Sequence, residues 1–152
     1  MDFEKIFSES FDTFKVFSNI SAAKASLTTV NTPKSVWQIL NHLIIWQEFQ
    51  LKRLRGIKTS NISEIDTWNE DAEITDEEVL SKKIKVFQDQ IHQIKAEITR
   101  LNLTSENLEK RLKIIQDLSL HLSFHLGEMI LLMRQNGHYP MPAAMKDFLE
   151  EV

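Results

Sequence analysis

The chain contains no cysteine, only three glycines and three prolines, and no long apolar run. The missing cysteine excludes disulfides, thiolate metal ligands and cysteine nucleophiles, so any metal site has to be built from His, Asp and Glu. With so few of the two strongest local breakers, the chain is expected to form long helices joined by few turns. The longest apolar stretch, Met129 to Met133, falls far short of the ~20 residues that span a bilayer. The opening Met1-Asp2-Phe3-Glu4-Lys5 also lacks the basic start and apolar run of a secretion signal. A cytoplasmic protein with no membrane partner is therefore the expectation. An excess of basic charge is missing too: 18 Lys and Arg against 22 Asp and Glu give a formal charge of −4. That balance supplies no attraction for a polyphosphate backbone, so nucleic acid is not an expected partner. The glycines, at 56, 127 and 137, form neither a phosphate-cradling loop nor a nucleophile elbow.

What is present is ordinary globular material. The 152 residues are 42% hydrophobic and 26% charged, enough for a single domain over 1–152 with a real core. Phe3, Ile6, Phe7, Phe11, Phe14, Phe17 and Ile20 recur at spacings of three and four, which gathers them on one helical stripe and predicts a first helix from Phe3 to Leu27. Thr32-Pro33 reads as an N-cap followed by proline at the first helical position. Val36, Ile39, Leu40, Leu43, Trp46 and Leu54 then keep helical period up to Gly56, giving a second helix over Pro33–Arg55. Residues Ile57 to Ile74 lose periodicity and collect Ser, Thr, Asn and Asp, the composition of a surface connection. Connections of this length are uncommon in compact domains and often functional. Trp68 within it reads as an anchor to the bundle.

Thr75-Asp76-Glu77-Glu78 fits a capping box with Thr75 at the cap, and Ile84, Phe87, Ile91, Ile94, Ile98 and Leu101 mark one narrow stripe on a mostly solvated third helix. Apolar residues then run densely from Leu112 to Met133, with Gly137 as the terminating cap. A helix apolar around most of its circumference is either central in the fold or covered by a partner chain. Pro140 and Pro142 break the chain before a short last helix over Ala143–Glu151. No segment alternates as a strand does. The expected architecture is all-α, an antiparallel up-and-down four-helix bundle with a short C-terminal fifth helix.

The fourth helix contains His121-Leu122-Ser123-Phe124-His125. Residues four apart share a helix face, about 5–6 Å apart at Cβ, so both imidazoles can converge on one cation. Zinc, nickel and iron all accept neutral imidazole. Two histidines in apolar surroundings need a ligand or a hydrogen-bond partner, because burying each without one costs about 1–3 kcal/mol. His42, among Ile39, Leu43 and Trp46 on the second helix, is the best third ligand, and three histidines leave a coordination position open. His92 and His138 are left outside the site, the first facing water and the second beyond the Gly137 cap.

Leu122 follows the first histidine where a zincin protease has its glutamate base, which disfavours proteolysis. Glu128, three residues after His125, shares the histidine face and is the candidate for a ligand, a ring-orienting group or a catalytic base. Asp117 is a weaker partner behind His121. Trp46 and Phe49, four and seven residues after His42, would wall the pocket.

Ser35-Val36-Trp37-Gln38-Ile39-Leu40-Asn41-His42-Leu43, the Arg53-Leu54-Arg55-Gly56 helix end, Trp68 and His121-Leu122-Ser123-Phe124-His125-Leu126-Gly127-Glu128 together resemble the DinB-like superfamily, which includes bacillithiol transferase and mycothiol-dependent enzymes. The resemblance implies a four-helix bundle with a divalent metal on His42, His121 and His125, commonly as a homodimer. Glu128 stands where many relatives have Gln. The implied activity is metal-dependent transfer or hydrolysis of a small molecule, with a low-molecular-weight thiol as the implied partner. The alternative is a non-catalytic helical scaffold or small-molecule binding module whose core histidines only hydrogen-bond.

Overall fold

The structure, a computed structural model, describes residues 3–7, 11, 14–63, 65–68 and 71–150. The protein is an all-α bundle. Among the described residues the helices with both ends defined are α1 (Ala22–Ala25), α2 (Val36–Leu54), α3 (Glu77–Thr99), α4 (Leu108–Gln135) and the short C-terminal α5 (Met145–Glu150). Among the described residues there is no strand, only an isolated bridge between Thr29 and Thr32. No helix among them is long and apolar enough to cross a membrane.

Helix ends follow local chemistry, in places one to three residues from the expected positions. The N-cap of α2 is Ser35 and not Thr32: its Oγ accepts from the Gln38 N–H, and the Gln38 side chain bonds back to the Ser35 N–H. Thr32 is occupied otherwise, its hydroxyl closing the turn from Thr29. Likewise Asp76, and not Thr75, caps α3, its carboxylate accepting from the N–H groups of Glu78 and Val79. At the other ends, Gly56 and Gly137 adopt φ of +73° and +70°. Each completes a Schellman closure, with Ile57 N–H reaching Lys52 O and His138 N–H reaching Met133 O.

The N-terminal stripe does not form the continuous helix expected from Phe3 to Leu27. Within its described part a 3₁₀ turn over Glu4–Ile6 is followed by a turn at 14–19, in which Lys15 and Asn19 have φ of 49° and 59°. The left-handed backbone ends helical propagation. It is held from outside: the Tyr139 hydroxyl donates to the Phe14 carbonyl and the Lys15 ammonium to the Phe148 carbonyl. The segment still supplies Phe3, Phe7, Phe11 and Val16 to the core, while Ile6 is left exposed. The final helix follows a 3₁₀ turn over Pro142–Ala144, and Glu151 lies outside the described residues.

Hydrogen bonds at both ends fix the helix directions. Arg55, just past the end of α2, donates to Glu97 and Gln93 near the end of α3. Ser35, at the start of α2, donates to the Ala72 carbonyl on the approach to α3. α2 and α3 therefore run the same way, where a strict up-and-down order would oppose them. α4 runs against α2: Thr29, ahead of α2, bonds Gln135 at the end of α4. The parallel pair explains the long connection. A 19-residue helix is about 28 Å long at 1.5 Å per residue, and the chain between Gly56 and Asp76 has to return over that distance before α3 begins.

One continuous core joins these elements. Its centre is α2, so of the two explanations for the apolar density of α4 a central place in the fold is not the one observed. α2 buries Ile39, Leu40 and Leu43 together with the polar Asn41, His42, Gln47 and Gln50, whereas α4 leaves Leu120, Phe124 and Leu131 more than half exposed. The polar residues hide the burial of α2 from a hydropathy reading.

Candidate metal centre

α2 carries His42 toward α4, which carries His121 and His125 on one face. Their ligand atoms all lie within 4.8 Å of one another. The ring centroids are 5.0 Å apart for His42 and His121, 4.8 Å for His42 and His125, and 4.7 Å for His121 and His125. His42 is 1% exposed and His125 5% exposed, with His121 at the more open side. The three candidate ligands are thus brought together, as the sequence suggested.

Outer hydrogen bonds engage the ring nitrogens that face away from the centre. His42 Nδ1 lies 2.7 Å from Thr67 Oγ1, and His125 Nδ1 lies 2.8 Å from Glu128 Oε2. The Glu128 carboxylate accepts the His125 Nδ1 proton, and with the Thr67 hydroxyl accepting from His42 Nδ1 in the same way, Nε2 of both rings carries the inward lone pair. His42 Nε2 and His121 Nε2 are 3.0 Å apart. Two nitrogens on one tetrahedral zinc are about 3.3–3.4 Å apart, given Zn–N distances of about 2.0–2.1 Å, so the spacing is close to a ligating one. Three imidazoles also leave a position for water or substrate.

The electrostatics favour the neutral rings that a cation needs. Burial first, then His125, His121 and the Lys34 ammonium, lower the His42 pKa from 6.5 to about 3. Burial and then His125 lower that of His121 to about 4.

The remaining predicted residues fall at different distances from the cluster. Glu128 bonds the far nitrogen of His125, which is the place of a ring-orienting group. Asp117 pairs with Lys113 at 2.9 Å and not with an imidazole. That i,i+4 partner was available on its own helix. The Trp46 ring lies 5.6 Å from His121 and 6.3 Å from His42 and forms one wall. Phe49 packs on Trp46, ring centroids 5.7 Å apart. It lines a separate cavity of about 700 Å³ between α2 and residues 57–62. His92 and His138 are exposed.

Two neighbours of His42 were not assigned from sequence. Trp68 stacks flat on the His42 ring, centroids 3.9 Å apart and planes 11° apart, and Lys34 Nζ sits 5.1 Å from the Trp68 ring. Thr67, 1% exposed, is the hydrogen-bond partner already described. The isolated tryptophan was a signal for an anchor, but a threonine in a polar connection looks like any solvated one.

No family model, characterised protein or solved structure matches the chain.

Proposed function

We propose that the protein is a divalent-metal protein that holds its ion on His42, His121 and His125 and acts as a transferase or hydrolase on a small molecule. One observation carries the reading: three imidazoles converge, and two of them are held from behind by Thr67 and Glu128. A cation in such a set supplies Lewis acidity that lowers the pKa of a water or thiol at its open position. The chain's own groups would do the rest. Glu128 fixes the His125 ring, Trp46 and Trp68 exclude water from two sides, and the Trp46 indole N–H, buried and without an acceptor, is available to a ligand. Zinc, nickel and iron are the cations that neutral imidazole accepts, and a low-molecular-weight thiol is the substrate that the DinB-like resemblance implies.

The test is metal content of tag-free protein by plasma mass spectrometry, beside His42→Ala and His125→Ala. A near-stoichiometric divalent metal lost in both variants is expected; a wild type that stays metal-free after reconstitution with zinc, nickel and iron would overturn the reading. The second reading, a scaffold with hydrogen-bonded core histidines, is favoured by the His42–His121 contact, which gives Nε2 of each ring a partner without an ion. It expects melting temperatures indifferent to chelator. Pairing of two copies is part of the proposal, supported by the exposed Leu120, Phe124 and Leu131 of α4. Light scattering across a concentration series should give twice the chain mass, and a monomer throughout would refute pairing.

A further inference from the structure

Two consecutive residues of the α2–α3 crossover close on a single imidazole. Thr67 takes its ring edge at 2.7 Å and Trp68 covers its face at 3.9 Å, while the same indole lies 5.9 Å from the His125 ring. Neither residue belongs to the helices that carry the histidines. The crossover passes here because α2 and α3 are parallel, and Ser35 and Ser26 tie its far end through Ala72 and Ile74.

We propose that residues 65–68 form a metal-responsive strap, in which docking of Thr67 and Trp68 on His42 and capture of a divalent cation by the three histidines stabilise each other. The inference rests on the metal reading above. A cation on His42 Nε2 requires the proton on Nδ1, and that proton requires an acceptor in a buried place; Thr67 Oγ1 is that acceptor. Lifting the strap removes the acceptor and the indole cover together, so the lifted form holds the cation more weakly. Linkage makes the effect reciprocal: an ion that prefers the docked form must hold the strap down by the same factor. Thr67 is thus a positioning residue acting through His42.

The experiment pairs zinc titration against a chromophoric chelator with hydrogen exchange of the backbone amides at 65–68, with and without zinc. Thr67→Val, which keeps the shape and removes the acceptor, is expected to weaken zinc binding about 10-fold or more, as loss of such outer partners generally does. Thr67→Ser should restore most of the affinity. In the wild type, zinc should slow exchange at 65–68 by a comparable factor, a readout that needs no variant to fold. Equal affinity for wild type and a folded Thr67→Val, or exchange at 65–68 that zinc leaves unchanged, would overturn the strap and leave the metal reading standing. A wild type that binds no zinc overturns both.

Discussion

Metal-free protein should lose stability between pH 8 and pH 5, and the two depressed imidazoles set the size of the loss. In the unfolded chain His42 and His121 titrate near 6.5, whereas in the fold they titrate at about 3 and about 4. As pH falls below 6.5 the unfolded state takes up protons that the folded state refuses, so stability is full above that value and declines toward the folded pKa values. Treated separately, each ring would contribute about 2 kcal/mol between pH 8 and pH 5. The two are not separate: both feel His125, and His121 opens toward water, which screens its interactions. About 2 kcal/mol in total is the expectation, or roughly 4–8 °C in melting temperature for a domain of this size. The assay is thermal unfolding by circular dichroism in chelator at fixed ionic strength. The double variant His42→Gln/His121→Asn should flatten the profile. A wild-type profile flat between pH 8 and 5, or one rising as pH falls, would refute the reasoning, because the folded protein would then be accepting the protons.

Further outcomes follow from the same structure. Zinc at a hundred times its dissociation constant should stabilise the protein by about 2.7 kcal/mol, read as a chelator-reversible rise in melting temperature; no rise would count against the centre. Glu128→Ala should weaken zinc binding roughly 10-fold in a calorimetric titration while Glu128→Gln loses less, since an amide oxygen can still accept from His125 Nδ1. Gly127, within α4 and with nothing within 4 Å of an added Cβ, should give a Gly127→Ala variant about 0.5–1 kcal/mol more stable in urea titration; a less stable variant would show that something covers that face. Asp76→Ala should cost about 0.5–2 kcal/mol by removing the α3 cap, and an unchanged urea midpoint would contradict the assigned cap.

The parts of the molecule legible in the sequence were those set by local spacing. Period and glycine closures marked α2, α3 and α4, and the four-residue step between His121 and His125 placed two rings on one face. His42 was found because it is a lone imidazole in an apolar stretch. The rest depended on distant contacts. The break near Lys15 is held by Tyr139 and Phe148, 125 and 133 residues away from their partners in the chain, and no local pattern announces it. The parallel course of α2 and α3 appears only in pairs such as Arg55 with Glu97. Thr67 acquires its role because that course carries it past His42. Asp117 was misjudged because Lys113 competes for it from one turn away.

The distribution of the histidines along the chain bears on folding kinetics. The His42–His121 contact closes 79 residues of sequence, and the crossover and α3 both lie inside that loop. So large a closure belongs late on a folding route, after local helices and their nearest packing have formed. Chains emerging from the ribosome hold the α2 half of the cluster well before the α4 half exists. A cation captured by the finished cluster therefore acts on a state beyond the folding barrier, slowing unfolding and leaving the rate of folding nearly unchanged.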